Sequence, residues 1–189
     1  MASYSVQERA RQIRLLVLDV DGILSDGRLT FTNTSDELKS FDVQDGFGLK
    51  CIQDAGIQVA VITGRSSYIV HNRMQALGIP HIIQGREDKG IALRELCNEI
   101  GIDLQETAYM GDDWPDLTAL GLVGLALTAP NAHVEVRKRV HLVTQARGGQ
   151  GAVREVCDLL LVAQGKYDEV LAHYTRAFNE NSIHDKSNP

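Results

Sequence analysis

The chain has 189 residues, of which 43% are hydrophobic and 23% are charged. This balance is ordinary for one globular domain and excludes a disordered or fibrous protein. The 25 acidic and 19 basic residues give a net charge of −6, and the one dense basic run, at residues 137–139, lacks interleaved aromatic residues. We therefore expect no nucleic-acid partner.

No apolar stretch approaches the roughly 18 residues that a membrane span needs. The polar residues 1–12 are not followed by the apolar segment of a signal peptide. Cys51, Cys97 and Cys157 are far apart among apolar residues, which predicts buried free thiols rather than a disulfide framework or a zinc site. We expect a cytoplasmic protein with no membrane partner.

Short apolar runs rich in β-branched residues alternate along the chain with segments of helical spacing. The runs predict strands at residues 15–18, 59–62, 81–83, 108–110, 124–127 and 140–143. The segments predict helices at residues 46–55, 67–77, 89–100 and 115–120. The alternation indicates an α/β fold of three layers, Rossmann-like, with a central parallel sheet and helices on both faces. Such sheets bind ligands beyond the carboxyl ends of their strands.

One segment interrupts this alternation. Residues 28–32 and 38–43 flank a polar turn, which predicts a small β-hairpin insertion. Residues 151–177 have helical spacing, with Gly165 separating two helices. The polar residues 178–189 predict a flexible tail.

Polar residues stand where the predicted strands end and where one helix begins. The set consists of Asp19, Asp21, Thr63, Gly64, Lys89, Asp112, Asp113 and Asp116. Because parallel strands end at one edge of a sheet, we expect this set to converge on one crevice. A phosphoryl-transfer site needs a nucleophile, a divalent metal, donors for the phosphoryl oxygens and an acid for the leaving alkoxide. The set supplies all four, with Thr63, the Gly64 N–H and the Lys89 ammonium as phosphate donors.

The acidic residues of this set also predict a metal site. Magnesium prefers carboxylate, carbonyl and water oxygens, so Asp19 and Asp112 are natural ligands of Mg²⁺. Asp113 is equally well explained as an acidic residue at a helix N-terminus. Asp116 either orients Asp112, binds the metal through water, or is a solvated carboxylate.

These residues carry a resemblance to a known superfamily. The four ordered motifs of haloacid dehalogenase (HAD) phosphatases are similar to Asp19-Val20-Asp21-Gly22, Thr63-Gly64-Arg65, Lys89, and Gly111-Asp112-Asp113 with Asp116. The resemblance spans nearly the whole chain. It implies that Asp19 attacks phosphorus to form an aspartyl-phosphate, and that Asp21 acts first as acid and then as base. It also implies Mg²⁺ held by Asp19, the Asp21 carbonyl and Asp112, with Asp113 and Asp116 in support.

HAD phosphatases often carry a large cap between their motifs, and the intervals in this chain leave no room for one. We therefore expect a single HAD-like domain over residues 1–177, without a cap domain. The small hairpin, residues 42–48, Gln84-Gly85 and residues 147–155 resemble the 3-deoxy-D-manno-octulosonate 8-phosphate (KDO 8-phosphate) phosphatase family. This resemblance implies Mg²⁺-dependent release of KDO and phosphate for lipopolysaccharide biosynthesis. It also implies a homotetramer, and we expect neighbouring subunits to complete each active site.

The same resemblance implies a set of substrate contacts. They are Asp21, Asp42, Val43, Gln44, Asp45, Gly46, Lys50, Arg65, Arg73 and Lys89. The cations would complement a substrate that carries a carboxylate and a phosphate, although Lys50 stands where relatives often have arginine. Residues 42–46 could instead be a strand-to-helix turn with Asp45 as its cap, and Arg73 could lie on a solvated helix face. The glycines of 148–151 form either an ordinary turn or a loop that approaches the ligand.

Three alternatives stay open. The nearest is a phosphatase for a nine-carbon acid, such as 2-keto-3-deoxynononate (KDN) 9-phosphate or sialic acid 9-phosphate, because motifs do not separate a one-carbon difference. A receiver-type signalling module uses similar residues around magnesium, but it places its acidic pair before the acceptor aspartate, whereas here the Asp-x-Asp motif comes first. The third is a catalytically silent assembly protein on the same fold. The intact Asp19, Asp21, Lys89 and Asp112 argue against it.

Overall fold

The structure, a computed structural model, describes residues 4–34 and 36–184, with side chains up to residue 176. The strands are β1 (Leu15–Leu18), β2 (Thr30–Phe31), β3 (Glu37–Leu38), β4 (Gln58–Thr63), β5 (His81–Gln84), β6 (Thr107–Met110), β7 (Leu125–Thr128) and β8 (Leu142–Val143). The helices are α1 (Val6–Arg11), α2 (Val43–Asp54), α3 (Tyr68–Ala76), α4 (Lys89–Ile100), α5 (Leu117–Leu120), α6 (Val134–Arg137), α7 (Ala152–Ala163) and α8 (Tyr167–His184). Short 3₁₀ turns lie at Leu104–Glu106 and Trp114–Asp116.

Six strands form one sheet in the order β5-β4-β1-β6-β7-β8, and all neighbouring pairs are parallel. The central strand β1 pairs with β4 on one side and with β6 on the other. The chain order reverses there, which is where parallel sheets open a ligand crevice. Strands β2 and β3 form a separate antiparallel hairpin. The predicted α/β architecture and the hairpin insertion are confirmed.

Alternate residues of the sheet face opposite helical layers. Leu16 and Leu18 of β1 pack in a core with α1, α2, α3 and α7. Leu15 and Val17 pack in a second core with α4, α5 and α6. All four side chains of β1 are 0% exposed, as expected for a parallel strand that is covered on both faces.

Helix α2 begins at Val43, three residues before the predicted start at 46. The reason is the Asp42 side chain, which accepts hydrogen bonds from the backbone N–H groups of Gln44 at 2.6 Å and Asp45 at 3.3 Å. Asp42 is thus the N-cap, and the interpretation of Asp45 as the cap of this helix is wrong. Helix α1 was not predicted, although Ser5 and Glu8 form a capping box at its start.

The C-terminal helices also differ in extent from the prediction. Gly165, with a φ of 68°, separates α7 from α8 as expected. Helix α8 continues to His184, beyond the predicted end at residue 177. Residues 185–189 of the predicted tail lie outside the described residues.

Within residues 4–34 and 36–184, no helix combines the length and apolar character that crossing a membrane requires. The three cysteines are buried and free, as predicted.

Candidate active site

The first acidic motif forms a tight turn at the end of β1. Asp19 is 6% exposed, and its backbone N–H donates to the Met110 carbonyl at 2.9 Å, which joins the turn to β6. Gly22 has a φ of 88°, a conformation that suits glycine. A Cβ at Gly22 would overlap the carboxylate of Asp112. The turn therefore brings the first and last acidic motifs into contact.

The glycine-rich segment 147–151 packs against the back of this turn. A Cβ on Gly148 would overlap the Gly22 carbonyl. Asn131 joins the two segments, because its Nδ2 donates to the Gly22 carbonyl at 2.8 Å and its Oδ1 accepts from the Gly148 N–H at 2.7 Å. The segment thus supports the Asp19 turn through close backbone contact. No motif marked Asn131, but a polar residue shortly after β7 is the signal that could have found it.

Lys89, the first residue of α4, places its ammonium between two buried carboxylates. Its Nζ lies 3.0 Å from Oδ1 of Asp19 and 2.6 Å from Oδ1 of Asp116. Burial alone would lower the pKa of Lys89, but the two negative charges outweigh it and the pKa is raised. Lys89 is therefore a charged donor that is held in place, as phosphate binding requires.

Asp116 is 1% exposed, so its interpretation as a solvated carboxylate is wrong. Its Oδ1 accepts from Lys89 and from the Tyr109 hydroxyl at 2.8 Å. Its Oδ2 accepts from the backbone N–H groups of Asp112 and Asp113 at 3.0 and 3.1 Å. These four donors use the lone pairs of the carboxylate, so Asp116 fixes the Asp112 loop rather than offering a free oxygen to a metal.

Asp113 and Trp114 form the outer part of this loop. The Asp113 side chain accepts from the Trp114 backbone N–H at 2.8 Å, which supports its interpretation as a helix-start residue. Trp114, the single tryptophan of the sequence, is 61% exposed. Its indole N–H donates to Nδ1 of His133 at 2.9 Å. An exposed indole therefore borders the acidic cluster.

Carboxylate oxygens of Asp19, Asp112 and Asp116 lie within 4.8 Å of one another. Burial and mutual repulsion raise the pKa of Asp112 to about 8 and the pKa of Asp19 to about 7. Lys89 brings one positive charge to these carboxylates, so the ionised cluster has an excess of negative charge. A hard divalent cation fits both the oxygen donors and this excess. Asp19 and Asp112 are the residues that fit as its ligands.

The second motif follows β4 beside the Asp19 turn. In the register of the sheet Val61 lies opposite Leu18, so Thr63 stands at the same edge as the acidic turn. Thr63 is 3% exposed, and its hydroxyl accepts from the Arg65 backbone N–H at 3.4 Å. The Arg65 side chain is 46% exposed, with Nε 3.8 Å from Oδ2 of Asp21. The structure thus brings this motif and Asp21 together, as predicted.

Arg73 and Lys50 lie further from the strand ends. Nη2 of Arg73 donates to the Asp42 carbonyl at 3.4 Å, and its guanidinium lies 6.0 Å from the Phe41 ring centroid. Arg73 therefore fastens the entry to α2 and does not lie on a purely solvated face. Lys50 is exposed, about 12 Å along the α2 axis from Asp42 at 1.5 Å per residue. Lys50 thus lies about two helical turns beyond the N-cap of α2.

Asp45 faces the interior of the protein. It is 1% exposed, and it accepts hydrogen bonds from the backbone N–H groups of Gly151 at 3.4 Å and Arg154 at 2.7 Å. Burial raises the pKa of Asp45 to about 6. Asp45 therefore caps the start of α7, whereas Val43 and Gln44 beside it are exposed.

Two hairpin residues reach the site although no motif marked them. The Lys39 ammonium contacts Oδ1 of Asp21, and the Lys39 side chain is only 2% exposed. Oε1 of Glu37 lies 3.8 Å from Nζ of Lys39 and 3.1 Å from Nη2 of Arg65. Residues 37 and 39 share one face of an extended segment, and this alternation could have identified both.

Comparison with known proteins identifies the family of this chain. A model described as haloacid dehalogenase-like hydrolase matches residues 81–156. The 3-deoxy-D-manno-octulosonate 8-phosphate phosphatase of Escherichia coli (strain K12) is 47% identical over 167 residues, which cover 88% of this chain and 89% of the relative. The chain belongs to this phosphatase family.

Solved structures of KDO 8-phosphate phosphatases share the fold. The Moraxella catarrhalis enzyme, in complex with magnesium, phosphate and KDO, is 46% identical with a TM-score of 0.88, covering 89% of this chain and 97% of its own. The cobalt-bound Haemophilus influenzae enzyme is 40% identical with a TM-score of 0.82, covering 84% and 93%. Membership confirms the predicted HAD-like fold and phosphatase class, and it excludes the receiver-type signalling module.

The role of Asp116 can be tested by Asp116→Ala. We expect a fall of about 3–5 kcal/mol in the free energy of unfolding, because the change removes one partner of a buried ion pair. Urea denaturation followed by circular dichroism measures it. The control is Glu135→Ala, which breaks exposed ion pairs with Lys138 and Arg139 and should have a much smaller effect. Similar losses in both variants would show that Asp116 does not organise the site.

Proposed function

We propose that this protein is a Mg²⁺-dependent phosphoric monoester hydrolase that converts KDO 8-phosphate to KDO and phosphate in lipopolysaccharide biosynthesis. The observation that carries this proposal is the convergence of Asp19, Asp21, Lys89 and Asp112 at one sheet edge. The chain around them is 47% identical to a KDO 8-phosphate phosphatase over 88% of its length.

The two aspartates of the first motif divide the chemistry between them. The Asp19 carboxylate attacks phosphorus, and an O–P bond forms as the P–O bond to the sugar breaks. Asp21 donates a proton to the departing alkoxide. It then takes a proton from the water that attacks the aspartyl-phosphate. Cleavage of the bond between phosphorus and Asp19 releases phosphate and restores the carboxylate.

Three donors would hold the phosphoryl oxygens during both steps. They are the Thr63 hydroxyl, the Gly64 N–H and the Lys89 ammonium. Lys89 is 4% exposed and lies between two carboxylates, so it needs little reorganisation as charge develops.

The metal would be held by Asp19, the Asp21 carbonyl and Asp112. Mg²⁺ at this position neutralises charge on the phosphoryl group. Asp116 and Asp113 act in support, because they fix the loop that presents Asp112.

Arg65 is well placed to meet the carboxylate of the sugar acid, since its half-exposed guanidinium lies beside Asp21. Residues 42–46, Lys50 and Arg73 are the other proposed substrate contacts. Asp45 would act in this loop through α7, because its side chain is buried.

We further propose a homotetramer in which neighbouring subunits complete each crevice. Leu29, Phe31 and Leu38 of the hairpin are 46%, 57% and 54% exposed, and exposed apolar side chains of this kind favour a protein interface. In such an assembly Lys50 could reach a neighbour's crevice. Free, buried cysteines fit a reducing compartment, which supports the cytoplasm as the location.

The proposed substrate is tested with a panel of phosphate esters, each with and without Mg²⁺. We expect the highest kcat/KM for KDO 8-phosphate, lower values for KDN 9-phosphate and sialic acid 9-phosphate, and almost no turnover without the metal. Preference for a nine-carbon acid phosphate would show that the protein is a phosphatase for that substrate instead.

Arg65→Ala should lower kcat/KM for the keto acid phosphate much more than for a small ester without a carboxylate. Loss of a charged hydrogen bond costs roughly 1.5–3 kcal/mol, about a tenfold to hundredfold loss of kcat/KM. Steady-state kinetics with both substrates measure it. Equal losses of kcat/KM for both substrates would indicate that Arg65 binds the phosphate group instead of the carboxylate.

Asp19→Asn should abolish phosphate release and leave the fold intact, because an amide is neither a nucleophile nor an anionic metal ligand. Phosphate release is measured alongside circular dichroism. Asp103→Asn is a matched control, since Asp103 precedes β6 at the opposite edge of the sheet. Full activity of a folded Asp19→Asn variant would rule out the covalent route.

Trp114 offers a test of the metal site that does not depend on turnover. Because the exposed indole borders the acidic loop, binding of Mg²⁺ should change its fluorescence in a saturable way. Asp112→Asn should weaken this response strongly, and Asp103→Asn should not. An unchanged titration in Asp112→Asn would remove Asp112 from the proposed ligands.

The proposed assembly is tested by sedimentation. We expect a mass of four chains of 20.8 kDa each. Leu38→Asp should lower both the mass and kcat/KM, because it puts a charge at an exposed apolar position of the hairpin, on the face opposite to Glu37. Tyr68→Asp is the control, at a side chain that is 79% exposed on α3. A fully active monomer would contradict completion of the site by a neighbour.

A further inference from the structure

The hairpin carries exposed apolar side chains and a pair of charged ones. Phe31 and Leu38 are 57% and 54% exposed. Glu37 and Lys39 share one face of an extended segment, and the Lys39 side chain is only 2% exposed. A buried ammonium is costly unless it is paired. The position of Lys39 therefore depends on a specific partner.

That partner is the carboxylate of Asp21. Oδ1 of Asp21 receives the Lys39 ammonium and also the Ser25 hydroxyl, which donates at 3.3 Å. Oδ2 faces Nε of Arg65 at 3.8 Å, which is longer than a hydrogen bond. One oxygen of the carboxylate is thus occupied, and the other is left for proton exchange with a ligand.

Glu37 links this pair to the second motif. Its Oε1 lies near both Nζ of Lys39 and Nη2 of Arg65, so two carboxylates and two cations form one balanced network. The hairpin strands have only two residues each, and pairing of this length is weak. The network therefore contributes much of what holds the hairpin against the crevice.

We propose that Lys39 is a positioning residue for Asp21. Lys39 holds Oδ1 so that Oδ2 faces the leaving oxygen, and Glu37 keeps Lys39 and Arg65 in this arrangement. The inference rests on the proposed function, in which Asp21 exchanges protons with the leaving group and with water. It makes the hairpin a working part of the active site of its own subunit, in addition to any interface that it forms.

The test is Lys39→Met, which keeps the length of the side chain and removes the charge. We expect kcat for KDO 8-phosphate to fall about tenfold or more, a part of the roughly 10²–10⁴-fold that general acid–base catalysis contributes. For p-nitrophenyl phosphate, whose leaving group needs little protonation, the fall in kcat should be much smaller. KM should change little for either substrate. Lys39→Arg should restore part of the lost kcat, because it returns the positive charge.

Two comparisons make the result decisive. Lys138→Met removes a lysine from an exposed ion pair and should leave kcat unchanged. Asp21→Asn should show the same dependence on the leaving group as Lys39→Met, with a larger loss. If Asp21→Asn lacks this dependence, the proposed acid–base role fails. If Asp21→Asn shows it and folded Lys39→Met does not, the proposal for Lys39 alone is overturned.

The same variants and substrates also decide two further cases. If the wild-type protein does not hydrolyse KDO 8-phosphate, the alkyl phosphate with the highest turnover takes its place in the comparison. If Lys39→Met does not fold, Glu37→Gln decides, since it removes the negative charge beside Lys39 and Arg65. The proposal then requires a loss of kcat for the alkyl phosphate that exceeds the loss for the aryl phosphate. Equal losses overturn it.

Discussion

The active site depends on the ion pairs that the buried ammonium of Lys89 forms with two carboxylates. Asp19 and Asp116 are both nearly inaccessible to solvent, and two carboxylates so placed repel each other and favour protonation. Lys89 contacts both, so Asp19 of the first motif and Asp116 of the last are held by one positive charge. Asp116 passes this order on to the Asp112 loop through two backbone hydrogen bonds.

A second, separate set of charges serves the other aspartate of the turn. Asp21 faces Lys39 and Arg65, and Glu37 balances them. The turn therefore presents one carboxylate to a buried lysine and, two residues later, another to the half-exposed edge of the crevice. Side chains of the same type can take different chemical roles because their surroundings differ.

The sheet and most of the strand-end residues could be predicted because they depend on local pattern. Apolar runs of three or four residues mark the strands of the sheet, and Asp19 and Thr63 stand where two of those runs end. Asp45 was misinterpreted because capping rules consider a residue's own helix, whereas its partner Gly151 is 106 positions away in sequence. Lys39 and Asn131 act through tertiary contacts, and the local signals that mark them, alternation in the hairpin and a polar residue after β7, do not identify their partners. The early start of α2 and the extent of α8 depend on the details of helix ends. Sequence patterns locate those ends only to within a few residues.

The contact between Gly22 and Gly148 has a consequence for how the protein is made. These backbones come from opposite ends of the domain, and Asn131 bridges them. A nascent chain that has emerged only as far as Asp116 already contains every proposed catalytic and metal-binding side chain. It lacks the glycine-rich segment against which the Asp19 turn packs. Completion of the site must therefore wait until the glycine-rich segment has also left the ribosome.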